Sequence, residues 1–253
     1  MPLVEHAHKQ VHLKLVYYGP GLGGKTTNLE HIHQKTRPEY RGKLISLTNE
    51  SERTLFFDLL PVELGLFRGY TLRLHLCTVP GQIRFDMTRR LILRHVDGVV
   101  FVVDSQPLAI DANVESAQNL ETNLGLQGDD PTRMPLVIQY NKRDLPEVLS
   151  VEELRETIGI PSGLHEVEAI AREGVGVFET LKAVTKACLA LLPDPTRAPE
   201  GRSPSILPGQ RASIYPGGRP SALNGPPSSG GAPMSASMIP RAPGLPRMGG
   251  SGD

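Results

Sequence analysis

Up to residue 192 the apolar positions keep changing period. Residues 12–18 (His-Leu-Lys-Leu-Val-Tyr-Tyr) alternate and favour β-branched and aromatic side chains, which predicts a strand; 27–35 hold no Gly or Pro and predict a helix. A turn at 37–42 leads to a short predicted strand over 43–47. Residues 49–54 are polar without a period and are expected on a loop; 54–58 turn apolar. From 69 to 79 the alternation is clear: Tyr70, Leu72, Leu74 and Leu76 face one way, Arg73 and His75 the other, as on a half-buried strand. Residues 84–95 predict a short helix with its basic residues on one side. The unbroken apolar run 98–104 suits a central parallel strand covered on both faces. A polar helix is expected over 111–124 and a buried strand over 134–140. A short helix follows over 151–158, with Ser150 as cap and Glu153 at capping-box spacing. A last strand over 165–171 precedes an amphipathic helix over 177–192, whose stripe is Phe178, Leu181, Val184, Cys188 and Leu191.

This alternation predicts an α/β fold: a mostly parallel central sheet with helices on both faces, over residues 12–192. Residues 1–11 are polar, carry His6 and His8, and read as a flexible, solvated leader. Beyond residue 192 the pattern stops. The last 61 residues hold 13 Pro and 11 Gly, too little apolar surface to offset chain entropy, and 193–253 is expected to be a disordered tail. In such a sheet, ligands sit at the carboxyl ends of the strands.

The chemistry lies at those ends. Gly19-Pro20-Gly21-Leu22-Gly23-Gly24-Lys25-Thr26 fits G-x-x-x-x-G-K-[ST] between a predicted strand and a predicted helix. Gly19, Gly21, Gly23 and Gly24 let backbone N–H groups turn inward as an anion nest, and the new helix adds its positive end. Lys25 is expected to reach the β- and γ-phosphates, the Thr26 hydroxyl to ligate Mg²⁺, and Thr27 to complete the nucleotide contacts. Asn141-Lys142-Arg143-Asp144 ends another predicted strand and fits N-K-x-D. Guanine presents two adjacent donors that one carboxylate accepts together, whereas adenine would face that carboxylate with an acceptor. Asp144 therefore selects GTP and GDP over adenine nucleotides. Asn141 would brace the loop and Lys142 would lie along the base. Pro80-Gly81-Gln82 supplies a Gly81 N–H for the γ-phosphate and a Gln82 amide to orient water.

With these pieces in view, the sequence resembles the small Ras-like GTPases, and among them the bacterial gliding-motility (MglA-type) family. The resemblance rests on Tyr17–Leu22, Glu52-Arg53-Thr54-Leu55-Phe56-Phe57-Asp58, Thr78–Gln82 and Asn141–Pro146. It implies that the Thr54 hydroxyl ligates Mg²⁺, that Arg53 is an intrinsic arginine finger, and that Ala169 and Ile170 lie in the last base-contacting loop. It also implies a roadblock-type GTPase-activating partner that realigns Arg53 and Gln82, polarity or motility effectors, and a cytoplasmic protein recruited to a cell pole. Thr78 stands where most Ras-like proteins have the Asp that holds Mg²⁺ through water. Asp58 is the candidate carboxylate to replace it.

Composition trims the alternatives. The 27 basic and 27 acidic residues balance without a clustered basic patch, so no nucleic-acid partner is expected. The only two cysteines, Cys77 and Cys188, sit in apolar stretches and read as buried thiols. The chain shows neither a signal peptide nor a membrane span, and no lipid-anchor motif, so a direct membrane anchor is not expected. A nucleotide-binding scaffold with little hydrolysis is the competing function; Arg53, Thr54 and Gln82 speak against it. An ATP-using kinase or ATPase conflicts with Asp144.

Overall fold

A computed structural model describes residues 2–47, 57–81, 85–128 and 133–192. The expectations for Arg53, Thr54, Gln82 and the segment 193–253 lie outside the described residues. In chain order the elements are β1 (Leu3–Glu5), β2 (Gln10–Tyr18), α1 (Lys25–Lys35), β3 (Ile45–Leu47), β4 (Phe57–Phe67), β5 (Tyr70–Thr78), α2 (Asp86–Leu93), β6 (Gly98–Asp104), α3 (Ile110–Leu126), β7 (Leu136–Asn141), α4 (Val151–Ile158), β8 (His165–Glu168) and α5 (Val177–Ala190).

One sheet runs β3-β4-β5-β2-β6-β7-β8, with β1 beside β2. β5, β2, β6, β7 and β8 are mutually parallel; β3, β4 and β1 pair antiparallel. β6 is buried at every residue, as its unbroken apolar run requires. On one face, Leu29 and Ile32 of α1 and Val177, Leu181, Val184 and Cys188 of α5 join the inward residues of β2 and β5 in one core. On the other, Ile92 and Leu93 of α2, Leu120 and Leu124 of α3, and Leu154 and Ile158 of α4 close a second. The chain leaves β2 toward β5 on one side and β6 on the other. The loop after β2 thus opens at a topological switch point, where α/β sheets bind ligands.

The structure corrects four expectations. Residues 3–10 are not a flexible leader: β1 pairs with β2, Leu3 opposite His12 and Glu5 opposite Gln10. His12 stacks on His75 of β5, ring centroids 5.4 Å apart. β4 was not foreseen, because Pro61, Gly65 and a register shift between Glu63 and Leu66 break its alternation. In α2 the basic residues do not share one solvent face, since Arg89 is fully buried. The α5 stripe is rotated: Phe178 and Leu191 are exposed, while Val177, Thr180, Leu181, Val184, Thr185 and Cys188 face inward. By contrast, Ser150 and Glu153 form the expected capping box at the start of α4. Cys77 and Cys188 are free and buried. Among the described residues no helix is long and apolar enough to cross a membrane.

Candidate functional site: a phosphate loop between two hollows

Two positions in the loop 19–24 admit only glycine. Gly19 has φ 140°, and a Cβ there would lie 2.2 Å from the Val102 carbonyl oxygen of β6. Gly24 has φ 98° and caps α1; a Cβ there would meet the Asn141 amide nitrogen at 2.1 Å. These close approaches leave a narrow backbone cradle at the positive end of α1. The Lys25 ammonium folds back over it and donates to the carbonyls of Gly19 (3.0 Å) and Pro20 (2.5 Å). Burial, reinforced by the Arg89 charge and opposed by Asp58, lowers its pKa from 10.5 to about 7. A buried cation with only carbonyl partners is poorly matched, and polyphosphate oxygens would match it.

Two hollows open on either side of this loop and share Leu22, Gly24 and Thr27 in their walls. The first, of about 490 Å³, holds Lys25, Thr26, Ser46, Asp58, Thr78 and Gly81. Here the oxygens converge on Asp58, a buried residue of β4. Its Oδ2 accepts from the Thr26 hydroxyl at 2.6 Å and the Thr78 hydroxyl at 2.9 Å; its Oδ1 accepts from Ser46 at 2.7 Å. The Thr78 hydroxyl in turn accepts from the Asp58 N–H at 2.8 Å. Thr78 and Asp58 thus form one unit across β4 and β5. All the donors are hydroxyl or carboxylate oxygen, a set that fits Mg²⁺.

The second hollow, of about 320 Å³, is lined by Gln106, Asn141, Lys142, Asp144, Leu145, Ala171 and Arg172. Asn141 ties the two sides together. Its amide donates to the Gly23 carbonyl at 2.8 Å, and its oxygen accepts from the Ala171 N–H at 2.9 Å. Lys142 sits at φ 67° with its ammonium 2.6 Å from the buried Asp104 carboxylate, so its stem is held along the wall. Asp144 pairs with the exposed Arg172 at 2.8 Å. Behind this wall Asn28 of α1 and Gln139 of β7 exchange two amide bonds of 2.8 and 2.9 Å, and Gln139 also reaches Thr180 of α5. Such a satisfied buried network rigidifies the elements that carry both loops.

Of the residues read from the sequence, Gly19, Gly23, Gly24, Lys25, Thr26, Thr27, Asp58, Gly81, Asn141, Lys142 and Asp144 come together here. Gly21 faces Gly81 so closely that a Cβ on Gly81 would lie 2.2 Å from the Gly21 Cα. Ala169 and Ile170, expected in the base-contacting loop, are not among the residues lining the second hollow. Ala169 continues the β8 ladder, its N–H bonded to the Tyr140 carbonyl, and Ile170 bridges to Val175; Ala171 and Arg172 stand on the wall instead. Ser46 and Arg89 were missed. For Arg89 a signal existed: it lies three and four residues before Ile92 and Leu93, on the stripe that must face inward.

Comparison with known proteins agrees with this geometry. The model of the ADP-ribosylation factor family matches residues 3–188, beginning inside the β1–β2 hairpin. The mutual gliding-motility protein MglA of Myxococcus xanthus (strain DK1622) is 54% identical over 192 residues, which span 76% of this chain and 98% of that protein. Elongation factor 4 of Sorangium cellulosum (strain So ce56) is 31% identical over 135 residues, 52% of this chain and 21% of the factor. A phosphate loop, a guanine-selecting loop braced to it by Asn141, and matches of this extent place the chain in the ADP-ribosylation factor family of small GTPases, in its bacterial MglA-type branch.

Proposed function

We propose that this small GTPase is a slow timer whose GTP form engages effectors of gliding motility or cell polarity, and that a roadblock-type partner speeds its return to the GDP form. The observation that carries the reading is Asn141, which joins the Gly23 carbonyl to the Ala171 N–H and so sets the phosphate and base hollows at a fixed spacing. The 54% identity to MglA of Myxococcus xanthus supplies the motility assignment.

In this reading the Gly19–Gly24 backbone and Lys25 bind the phosphates, and Thr27 lines the path between the hollows. Asp144 accepts the two guanine donors once Arg172 yields its place, and Ala171 closes the base. Thr26 and Thr54 would hold Mg²⁺, with Asp58 behind Thr26 supporting it in the role Thr78 cannot fill. When bound, Mg²⁺ supplies charge neutralisation on the β- and γ-phosphate oxygens. The Gly81 N–H binds the γ-phosphate, Gln82 orients the attacking water, and Arg53 neutralises charge that develops in the transition state. The unaided rate is then expected on the order of 10⁻⁴ to 10⁻² s⁻¹.

Single-turnover hydrolysis of bound GTP, with and without a roadblock-type protein, tests this. Acceleration that is lost in Gln82→Leu and Arg53→Ala supports the timer. Tight guanine-nucleotide binding with neither acceleration nor a Gln82 effect would make the protein a nucleotide-binding scaffold.

A further inference from the structure

Among the described residues Arg89 is the largest fully buried side chain. Its guanidinium lies 5.1 Å from the Tyr18 ring centre. Nε donates to the Pro80 carbonyl at 2.8 Å and Nη2 to the Gly81 carbonyl at 2.6 Å. Nη1 donates to Asn119 Oδ1 at 2.8 Å and, at 3.4 Å, to the Tyr18 hydroxyl. The Tyr18 hydroxyl itself donates to Asn119 Oδ1 at 2.5 Å, and Asn119 is anchored through its amide to Asp86 at 2.8 Å. Among the described residues no carboxylate forms an ion pair with Arg89. A cation has been taken wholly out of water to meet neutral acceptors.

That arrangement is costly for stability alone, because neutral oxygens repay only part of the desolvation of a charge. What the guanidinium offers is shape: a planar fork with N–H groups in fixed directions, able to take two successive carbonyls at once. Lysine could supply the charge but not the fork. The two gripped carbonyls belong to the segment between β5 and α2 that faces the phosphate loop, and Gly81 lines the phosphate hollow. A trans peptide is planar, with its C=O and N–H pointing to opposite sides. Fixing the Pro80 oxygen against Arg89 therefore fixes the Gly81 N–H on the side away from Arg89.

We propose that Arg89 is a positioning residue for the γ-phosphate: by holding the Pro80 and Gly81 carbonyls it aims the Gly81 N–H, without touching nucleotide itself. This rests on the reading that Gly81 binds the γ-phosphate. It makes Arg89 a determinant of the preference for GTP over GDP, because only the triphosphate has a group for that N–H to meet. The effect should be absent from binding to GDP, whose contacts lie in the Gly19–Gly24 cradle and at Asp144.

The test compares the full chain with Arg89→Lys, Arg89→Gln and Tyr18→Phe, the last keeping the ring while loosening the guanidinium. Affinities for fluorescent GDP and for a non-hydrolysable GTP analogue are measured, together with single-turnover hydrolysis. For Arg89→Lys and Arg89→Gln, the GTP-over-GDP affinity ratio and the hydrolysis rate are each expected to fall about tenfold, while GDP affinity stays within about threefold. Lysine should not rescue, since the fork and not the charge is at work. Tyr18→Phe should shift the ratio in the same direction by a smaller factor, and it carries the test if the Arg89 variants fail to fold. Equal losses for GDP and the GTP analogue, or full rescue by Lys, would overturn the proposal and leave Arg89 a structural residue. An unchanged GTP-over-GDP ratio in Gly81→Ala would instead overturn the Gly81 assignment.

Discussion

Thr26 and Asp58 meet at 2.6 Å although one opens the helix after the phosphate loop and the other belongs to β4. The same carboxylate accepts from Thr78 at 2.9 Å, the residue that replaces the usual Asp at the end of β5. In the function proposed above, Asp58 acts on Mg²⁺ through Thr26. Asp58→Ala is expected to weaken Mg²⁺-dependent GDP affinity by about one to two orders of magnitude, the usual cost of deleting a group that orients a metal ligand. Binding measured in excess EDTA should change far less. Equal affinity for wild type and variant across a Mg²⁺ titration would remove Asp58 from the site.

Asp144 and Arg172 form the other telling pair, at 2.8 Å. Guanine must replace or share the arginine's hold on the carboxylate. Asp144→Asn converts an acceptor of two donors into a mixed donor and acceptor, which suits xanthine. The variant is expected to lose about 10²-fold or more in GDP affinity and to prefer XDP, because a site built for hydrogen bonds rejects a mismatched ligand strongly. Competition of GDP, XDP and ADP against a fluorescent nucleotide reads this directly. Retained GDP preference would place the base elsewhere.

The His12–His75 stack predicts a pH dependence far from the nucleotide. The rings lie nearly parallel, at 12°, and share a hydrogen bond of 3.1 Å. Burial first, then His12, Arg73 and Lys14, hold the His75 pKa below its usual 6.5. Glu5 of β1 faces the pair as well, 3.8 Å from His12. Between the lowered value and 6.5 the unfolded chain binds more protons than the native one, so stability rises with pH across that window. It is lost as pH falls from 6.5 through the folded value. His75→Gln should flatten the melting temperature between about pH 5 and about pH 7 relative to wild type. An unchanged slope would show that other groups govern it.

Much of the fold was legible because local signals agreed with the tertiary ones. The run 98–104 reads as a covered strand and is one, and Ser150 with Glu153 marks the start of α4 as clearly in sequence as in space. What was hidden depends on long-range partners. β4 carries Pro61 opposite His75, where the ladder needs no donor from it, and Pro61 instead accepts from the Gly42 N–H at 2.8 Å. The β1 hairpin is short, and it takes its structure from partners far along the chain: Val4 packs on the core, His6 bonds Tyr70, and the Lys9 carbonyl accepts from Thr71. Arg89 reads as a solvent-facing charge until the carbonyls of Pro80 and Gly81 are seen around it. That Ala169 continues the ladder beyond β8 is set by the Tyr140 carbonyl and not by its own side chain. In the site, the glycine loop and N-K-x-D carried their meaning locally; the Asp58 hub did not, since Ser46, Thr26 and Thr78 reach it from three separate elements.

Asn141 separates the architecture of the site from its specificity. On the reading proposed above it braces the loops and leaves the choice of base to Asp144; it satisfies the Gly23 carbonyl and the Ala171 N–H, both of which are walled off from water around it. Asn141→Ala leaves these two backbone groups without a partner, and each orphaned buried group costs about 1–3 kcal/mol. The variant is therefore expected to unfold about 2–6 kcal/mol more easily in urea without nucleotide. With the spacing between hollows no longer fixed, GDP and GTP affinities should fall together by at least about tenfold. The guanine-over-xanthine ratio should stay that of the wild type, in contrast to Asp144→Asn. A changed base preference in Asn141→Ala, with stability intact, would mean that its amide reads the nucleotide directly instead of holding the two loops in place.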